Sequence, residues 1–169
     1  LLAVARIGGQ QFLAKVARGA QLEEVRAEAV RRLSDPDVLE EFCRSDNWVL
    51  RKAAVSRTED KTLLVEAAVD DSDPYVREEA VGRLDDQDLL ARIVLRDPSR
   101  MVRHRALRNL TDPGHLAEVA LRDRAGDMRE LAIPLVKDSG RLLEIARKVG
   151  DPAARRLALS RISDKDLLA

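Results

Sequence analysis

One arginine column constrains this 169-residue chain more than any other feature. Arg26, Arg51, Arg77, Arg103, Arg129 and Arg155 follow one another at separations of 25, 26, 26, 26 and 26 residues. Three residues after each stands an alanine (Ala29, Ala54, Ala80, Ala106, Ala132, Ala158), nine after an aspartate (Asp35, Asp60, Asp86, Asp112, Asp138, Asp164) and thirteen after a leucine (Leu39, Leu64, Leu90, Leu116, Leu142, Leu168). Ala3, Val4, Ile7 and Leu13 continue the frame backwards, with Gly9 in the aspartate column. Four aligned columns do not arise by chance, so the chain is a tandem repeat. It reads as a single array over 1–169, with units near 1–22, 23–47, 48–73, 74–99, 100–125, 126–151 and 152–169, the first and last incomplete.

Inside a unit the residue before the arginine is apolar (Val25, Leu50, Val76, Val102, Met128, Ala154), as are those three, four and usually seven after it. Such positions share one face of an α-helix turning about 100° per residue, so each unit opens with an amphipathic helix, the arginine helix. The aspartate column sits in turn and N-cap chemistry, as in Ser34-Asp35-Pro36-Asp37 and Thr111-Asp112-Pro113-Gly114. A second apolar set follows at i, i+1, i+4 and i+5, for example Leu63, Leu64, Ala67 and Ala68, and predicts a second helix of roughly two to three turns. Asp73-Pro74, Asp97-Pro98 and Asp151-Pro152 read as the breakers that end it. Neither helix is long enough to stand alone, and each buries one stripe, so units must stack to share a core. The expected fold is all-α: an α-solenoid, or superhelix, of about seven stacked two-helix repeats.

Composition narrows the class further. Of the residues 36% are charged and 45% apolar, and 30 Lys+Arg balance 30 Asp+Glu, which is neither the low hydrophobicity nor the high net charge of a disordered chain. No apolar run approaches the ~20 residues of a membrane helix, and no N-terminal stretch reads as a signal peptide. Cys43, the single cysteine, excludes an internal disulfide and any multi-cysteine zinc or iron–sulfur site, and points to the cytoplasm. Leu1 begins inside a helical pattern and Leu168-Ala169 stop inside one, so the chain is expected to be a fragment of a longer protein.

The stretch Asp73-Pro74-Tyr75-Val76-Arg77-Glu78-Glu79-Ala80-Val81-Gly82-Arg83-Leu84 resembles the HEAT-like repeat family, and looser copies run along essentially the whole chain. The period is shorter than usual for that family and approaches the leucine-rich-repeat-variant arrays, in which the second helix is abbreviated. The iron–sulfur cluster accompanying some of those arrays needs more than one cysteine. The resemblance implies a fold and a scaffold-type role. It also implies a ladder between units in which an acidic residue six positions before an arginine pairs with it: Asp71, Asp97 and Asp123 stand at that spacing. The geometry of the arginine column agrees, because it lies about 35° from the centre of the apolar face and must be paired there.

A second basic column follows six residues after the first: Arg6, Arg32, Arg57, Arg83 and Arg161, with Asn109 and Leu135 in the remaining units. It lies roughly 85° from the core centre, where a guanidinium reaches solvent. On the inner curve that the resemblance implies, these residues with Arg105 and Arg108 form a candidate anion-binding stripe, flanked by Arg31, His104 and Arg156. Glu28, Glu78, Glu79 and Glu130 on the same helices offset that charge. Nucleic acid or another polyanion is therefore kept as the alternative ligand; the family includes DNA glycosylases, but their catalytic apparatus matches no residues here. Overall neutrality and an aromatic content of only 2% argue against it.

The sixth unit breaks the pattern. Pro134 falls inside its arginine helix and is expected to bend it. Leu131, Pro134 and Leu135, with Leu157 in the next unit, put apolar side chains at nominally exposed positions, either a contact patch or a surface covered by further chain. Trp48 and Tyr75 occupy corresponding turns of adjacent units and either anchor a partner or fill the gap left by the one-residue deletion before Arg51. Catalysis is not expected. His104 and His115 are the only histidines, Gly8-Gly9 lacks the following Lys-Ser/Thr of a phosphate loop, and Cys43 reads as a buried, inert thiol. Paired acids such as Asp70-Asp71 and Asp85-Asp86 read as turn residues, and no cofactor or metal site is assigned. The expected role is a non-catalytic scaffold whose curved helical surface meets a protein partner away from the membrane.

Overall fold

The computed structural model of the chain describes residues 9–123 and 126–162. Arg6, Asp164 and Leu168 lie outside them. Among the described residues there are twelve α-helices and no strand. Helices of the second kind are α1 (Gln10–Gly19), α3 (Pro36–Cys43), α5 (Lys61–Asp70), α7 (Gln87–Arg96), α9 (Pro113–Arg122) and α11 (Ser139–Lys148). Arginine helices are α2 (Glu23–Arg31), α4 (Trp48–Val55), α6 (Pro74–Val81), α8 (Arg100–Asn109), α10 (Gly126–Ala132) and α12 (Pro152–Ser160).

The chain divides into two compact units, Leu1–Leu84 and Asp85–Ala169. In the first, α2, α4 and α6 pack in succession, α4 also holds α3, α6 holds α5, and α3 meets α5. In the second, α7, α9 and α11 pack in succession, α8 lies on α7, α10 on α9, and α12 on both α11 and α10. The alanine column lies inside the packed helices: Ala29, Ala54, Ala80, Ala106, Ala132 and Ala158 are all fully buried, as a side chain of one methyl allows. Leu39, Leu64, Leu90, Leu116 and Leu142 are buried beside them. No helix among the described residues is long and apolar enough to cross a membrane.

The aspartate column starts the second helices. Asp35, Asp60, Asp86, Asp112 and Asp138 are N-caps, each accepting at least one backbone N–H of its helix's first turn. Amide donors from His115 and Gly114 hold the Asp112 carboxyl below the usual carboxylate range. Two expectations, on the Asp-Pro pairs and on Pro134, need correction. Asp73-Pro74 and Asp151-Pro152 do not end the second helices; each aspartate caps, and each proline opens, the arginine helix that follows, because a first-turn position needs no N–H. The second helices are eight to ten residues long, the roughly two to three turns expected of them. Pro134 does not bend its helix: α10 stops at Ala132, and Ile133–Leu135 form a 3-10 turn, whose bonding leaves the proline nitrogen unused.

Candidate functional site

The last carbonyls of a helix lack intrahelical donors, and helices commonly satisfy them by turning through a left-handed residue. No residue among those described has a positive φ. The donors come instead from arginine side chains, and this decides what both basic columns can do.

Each arginine of the first column reaches back to the end of the preceding second helix. Arg51 Nη1 donates to the carbonyls of Ser45 (2.8 Å) and Asp46 (3.1 Å), and Arg77 Nη1 to those of Asp71 (2.8 Å) and Ser72 (3.3 Å). Arg103 Nη1 meets Asp97 (3.1 Å) and Pro98 (3.2 Å), Arg129 Nη1 meets Asp123 (2.6 Å), and Arg155 Nη2 meets Val149 (2.9 Å). Arg26 Nε makes the corresponding bond to Ala17 at 2.9 Å. A cation at a helix C-terminus also meets the negative end of its dipole.

At the six-residue spacing the hydrogen bond therefore goes to the backbone of Asp71, Asp97 or Asp123. The Asp71 carboxylate is held by the arginine of the unit before: Arg51 Nε to Oδ2 at 2.7 Å and Nη2 to Oδ1 at 2.9 Å, a bidentate pair whose side chains are 14% and 8% exposed. Asp71 Oδ1 also accepts the Asp73 amide at 2.8 Å, and Asp97 Oδ1 the Ser99 amide at 2.7 Å. Val149 offers no carboxylate at the corresponding place before Arg155. Asp151, the N-cap of α12, supplies one at 3.1 Å from Arg129 Nη2, and buried Arg129 Nε has no hydrogen-bond partner among the described residues.

The second column is spent in a related way. Arg83 Nη1 donates to the carbonyls of Val55 (2.6 Å) and Thr58 at the end of α4, and Nη2 meets Glu59 at 3.0 Å. Arg57 Nε faces the Leu33 carbonyl at 3.5 Å, Arg161 Nη2 faces that of Pro134 at 3.2 Å, and Arg32 Nε holds Glu28 at 2.7 Å. Arg105 is half-buried on α8, and Arg108 is exposed near its end. Sequence reasoning passed over two glutamines that do similar work. Gln10 reaches the Arg32 carbonyl (3.4 Å) and accepts the Ser34 amide (2.7 Å), while Gln87 reaches the Asn109 carbonyl (3.3 Å) and accepts the Thr111 (2.7 Å) and Asp112 (3.0 Å) amides. The available signal was a glutamine opening a second helix in two separate repeats.

Leu135 stands where the column would carry arginine, and a groove of about 560 Å³ opens beside it. Leu107, Leu110, Leu116, Leu131 and Leu135 line it, with His104, Arg108, Thr111 and Lys137. Leu131 and Leu135, expected as an apolar patch, thus meet there; exposed Pro134 and half-buried Leu157 are outside the lining. In the first unit Trp48 and Tyr75 stack at 5.5 Å between ring centroids, with Lys52 Nζ 5.7 Å from the Tyr75 centroid. Both residues remain exposed, at 41% and 48%.

Cys43 and His115 have defined surroundings. Burial pushes the Cys43 thiol up to about 11, so little nucleophilic thiolate forms near neutrality. His115 Nε2 lies 2.9 Å from Asp88 Oδ1. Among the described residues no group of three or more His, Cys, Asp or Glu side chains is placed to hold a metal ion. Comparison with protein-family models, with curated proteins and with solved structures gave no match.

Proposed function

We propose that the chain is an α-solenoid of HEAT-like repeats that works in the cytoplasm as a non-catalytic scaffold for a protein partner. The exposed Trp48–Tyr75 stack carries this reading. Tryptophan and tyrosine supply large, stiff contact area and dominate binding hot spots, and a chain with one residue of each leaves both on the surface, side by side. Lys52 beside them, itself 4.0 Å from Glu79, gives the patch a polar rim.

A polyanion-binding stripe is the weaker foundation. It needs guanidinium groups free to turn to a phosphate, whereas half-buried Arg83 is bonded to backbone carbonyls, and exposed Arg161 and Arg32 already face a backbone carbonyl and a carboxylate.

The test is affinity capture of partners by the wild-type chain and by a Trp48→Ser/Tyr75→Ser variant, followed by titration of the captured protein against Trp48 emission. Both positions are exposed, so the variant should fold. The expected result is a partner lost from the variant and retained at high salt, whose binding shifts the emission of this single tryptophan. Equal capture by both chains, with unchanged emission, would remove the basis of the reading.

A further inference from the structure

The groove in the second unit has a definite origin. Arg83 and Arg161 each cross to carbonyls at the end of an earlier helix. Leu135 cannot make that bond, and the space such a side chain would occupy stays open between α8, the start of α9 and the 3-10 turn at Ile133–Leu135. Its walls are aliphatic, and two of their leucines, Leu131 at 40% and Leu135 at 43%, are left exposed, which is unfavourable unless something covers them. A volume of about 560 Å³ lies in the range of small-molecule sites, roughly 300–1,000 Å³.

The lining is selective in charge. His104, Arg108 and Lys137 contribute nitrogen donors, and among the described residues no aspartate or glutamate lines the groove. No asparagine or glutamine is among the described lining residues either, so an extended peptide would find few acceptors for its N–H groups on those side chains. Among the described residues no phenylalanine, tyrosine or tryptophan lines the groove, which leaves flexible aliphatic packing as the main apolar contact. We propose that this groove binds a small amphiphile of the alkyl-carboxylate class, its chain against Leu107, Leu131 and Leu135 and its carboxylate at Arg108 and Lys137. This site is independent of the aromatic stack and stands or falls separately from the scaffold reading.

The experiment titrates the chain with decanoate, decanol and decyltrimethylammonium, each kept below its micelle threshold. Leucine methyl NMR reads the site and calorimetry the affinity. Saturating shifts at Leu131 and Leu135 are expected with decanoate, about tenfold tighter than decanol, and no saturation with the cation. Leu135→Arg, which restores the residue the column carries elsewhere, should fill the groove and abolish binding. Arg108→Glu/Lys137→Glu changes exposed positions, should fold, and should weaken decanoate by about tenfold while leaving decanol unchanged. Three results would overturn the proposal: no saturable shift at these leucines, decanol binding as tightly as decanoate, or undiminished decanoate binding in the charge-reversed chain.

Discussion

Replacing Arg51 by alanine is expected to cost about 3 kcal/mol of folding stability, read as a lower denaturant midpoint at unchanged slope. The size follows from what is stranded. Asp71 is left as a carboxylate at 8% exposure without its bidentate partner, and the Ser45 and Asp46 carbonyls lose their shared donor. The low end of the range for broken buried pairs applies, because Arg51 retains 14% exposure and water can reach the vacated space. A double variant, Arg51→Met/Asp71→Asn, removes both charges and keeps an acceptor for the Asp73 amide. It should recover more than half of the loss, since most of the penalty belongs to the unpaired carboxylate. If the double variant is no more stable than Arg51→Ala, carbonyl capping outweighs the ion pair.

Ala80→Leu should destabilise by about 1–3 kcal/mol for a different reason. Ala80 is fully buried on α6, which packs against both α4 and α5, so three extra carbons force these helices apart or into strained rotamers. Glu66→Leu is the matching control. Its side chain on α5 is 56% exposed, and a leucine there should change stability by less than about 0.5 kcal/mol. Chemical denaturation of the two variants side by side decides it; equal midpoints would mean that the alanine column does not set the helix spacing.

The repeat register, the N-cap role of the aspartates and the burial of the alanines could all be read before any coordinates, because each depends on side chains at fixed spacing along one helix. The direction of the first arginine column was legible for the same reason. Its acceptors were not. A sequence names side chains but says nothing about which carbonyls lack donors, so Asp71 drew attention for its carboxylate six residues before Arg77, whereas Arg77 takes its backbone oxygen. Arg83 shows the same blind spot: its angle on the helix placed it at the solvent margin, yet a long side chain from the margin can still reach the end of a neighbouring helix. Pro134 was correctly marked as a disruption, but periodicity could not say that the chain would tighten into a 3-10 turn instead of kinking. The groove needed both halves at once. Leu131 and Leu135 were visible as misplaced apolar residues, while the gap beside them exists only because the arginine of the other repeats is missing.

All of this turns on guanidinium groups being held by helix ends and carboxylates within the fold. Nitrogen-15 NMR of the arginine side chains measures that directly, since a bonded guanidinium rotates slowly about its Nε–Cζ bond and exchanges its protons slowly. Arg51, Arg77 and Arg83 should give separate, slowly exchanging Nη signals, in contrast to averaged signals from Arg92 and Arg96, which are exposed. Averaged, rapidly exchanging signals from Arg51 and Arg83 would contradict the account and leave both columns open as binding groups.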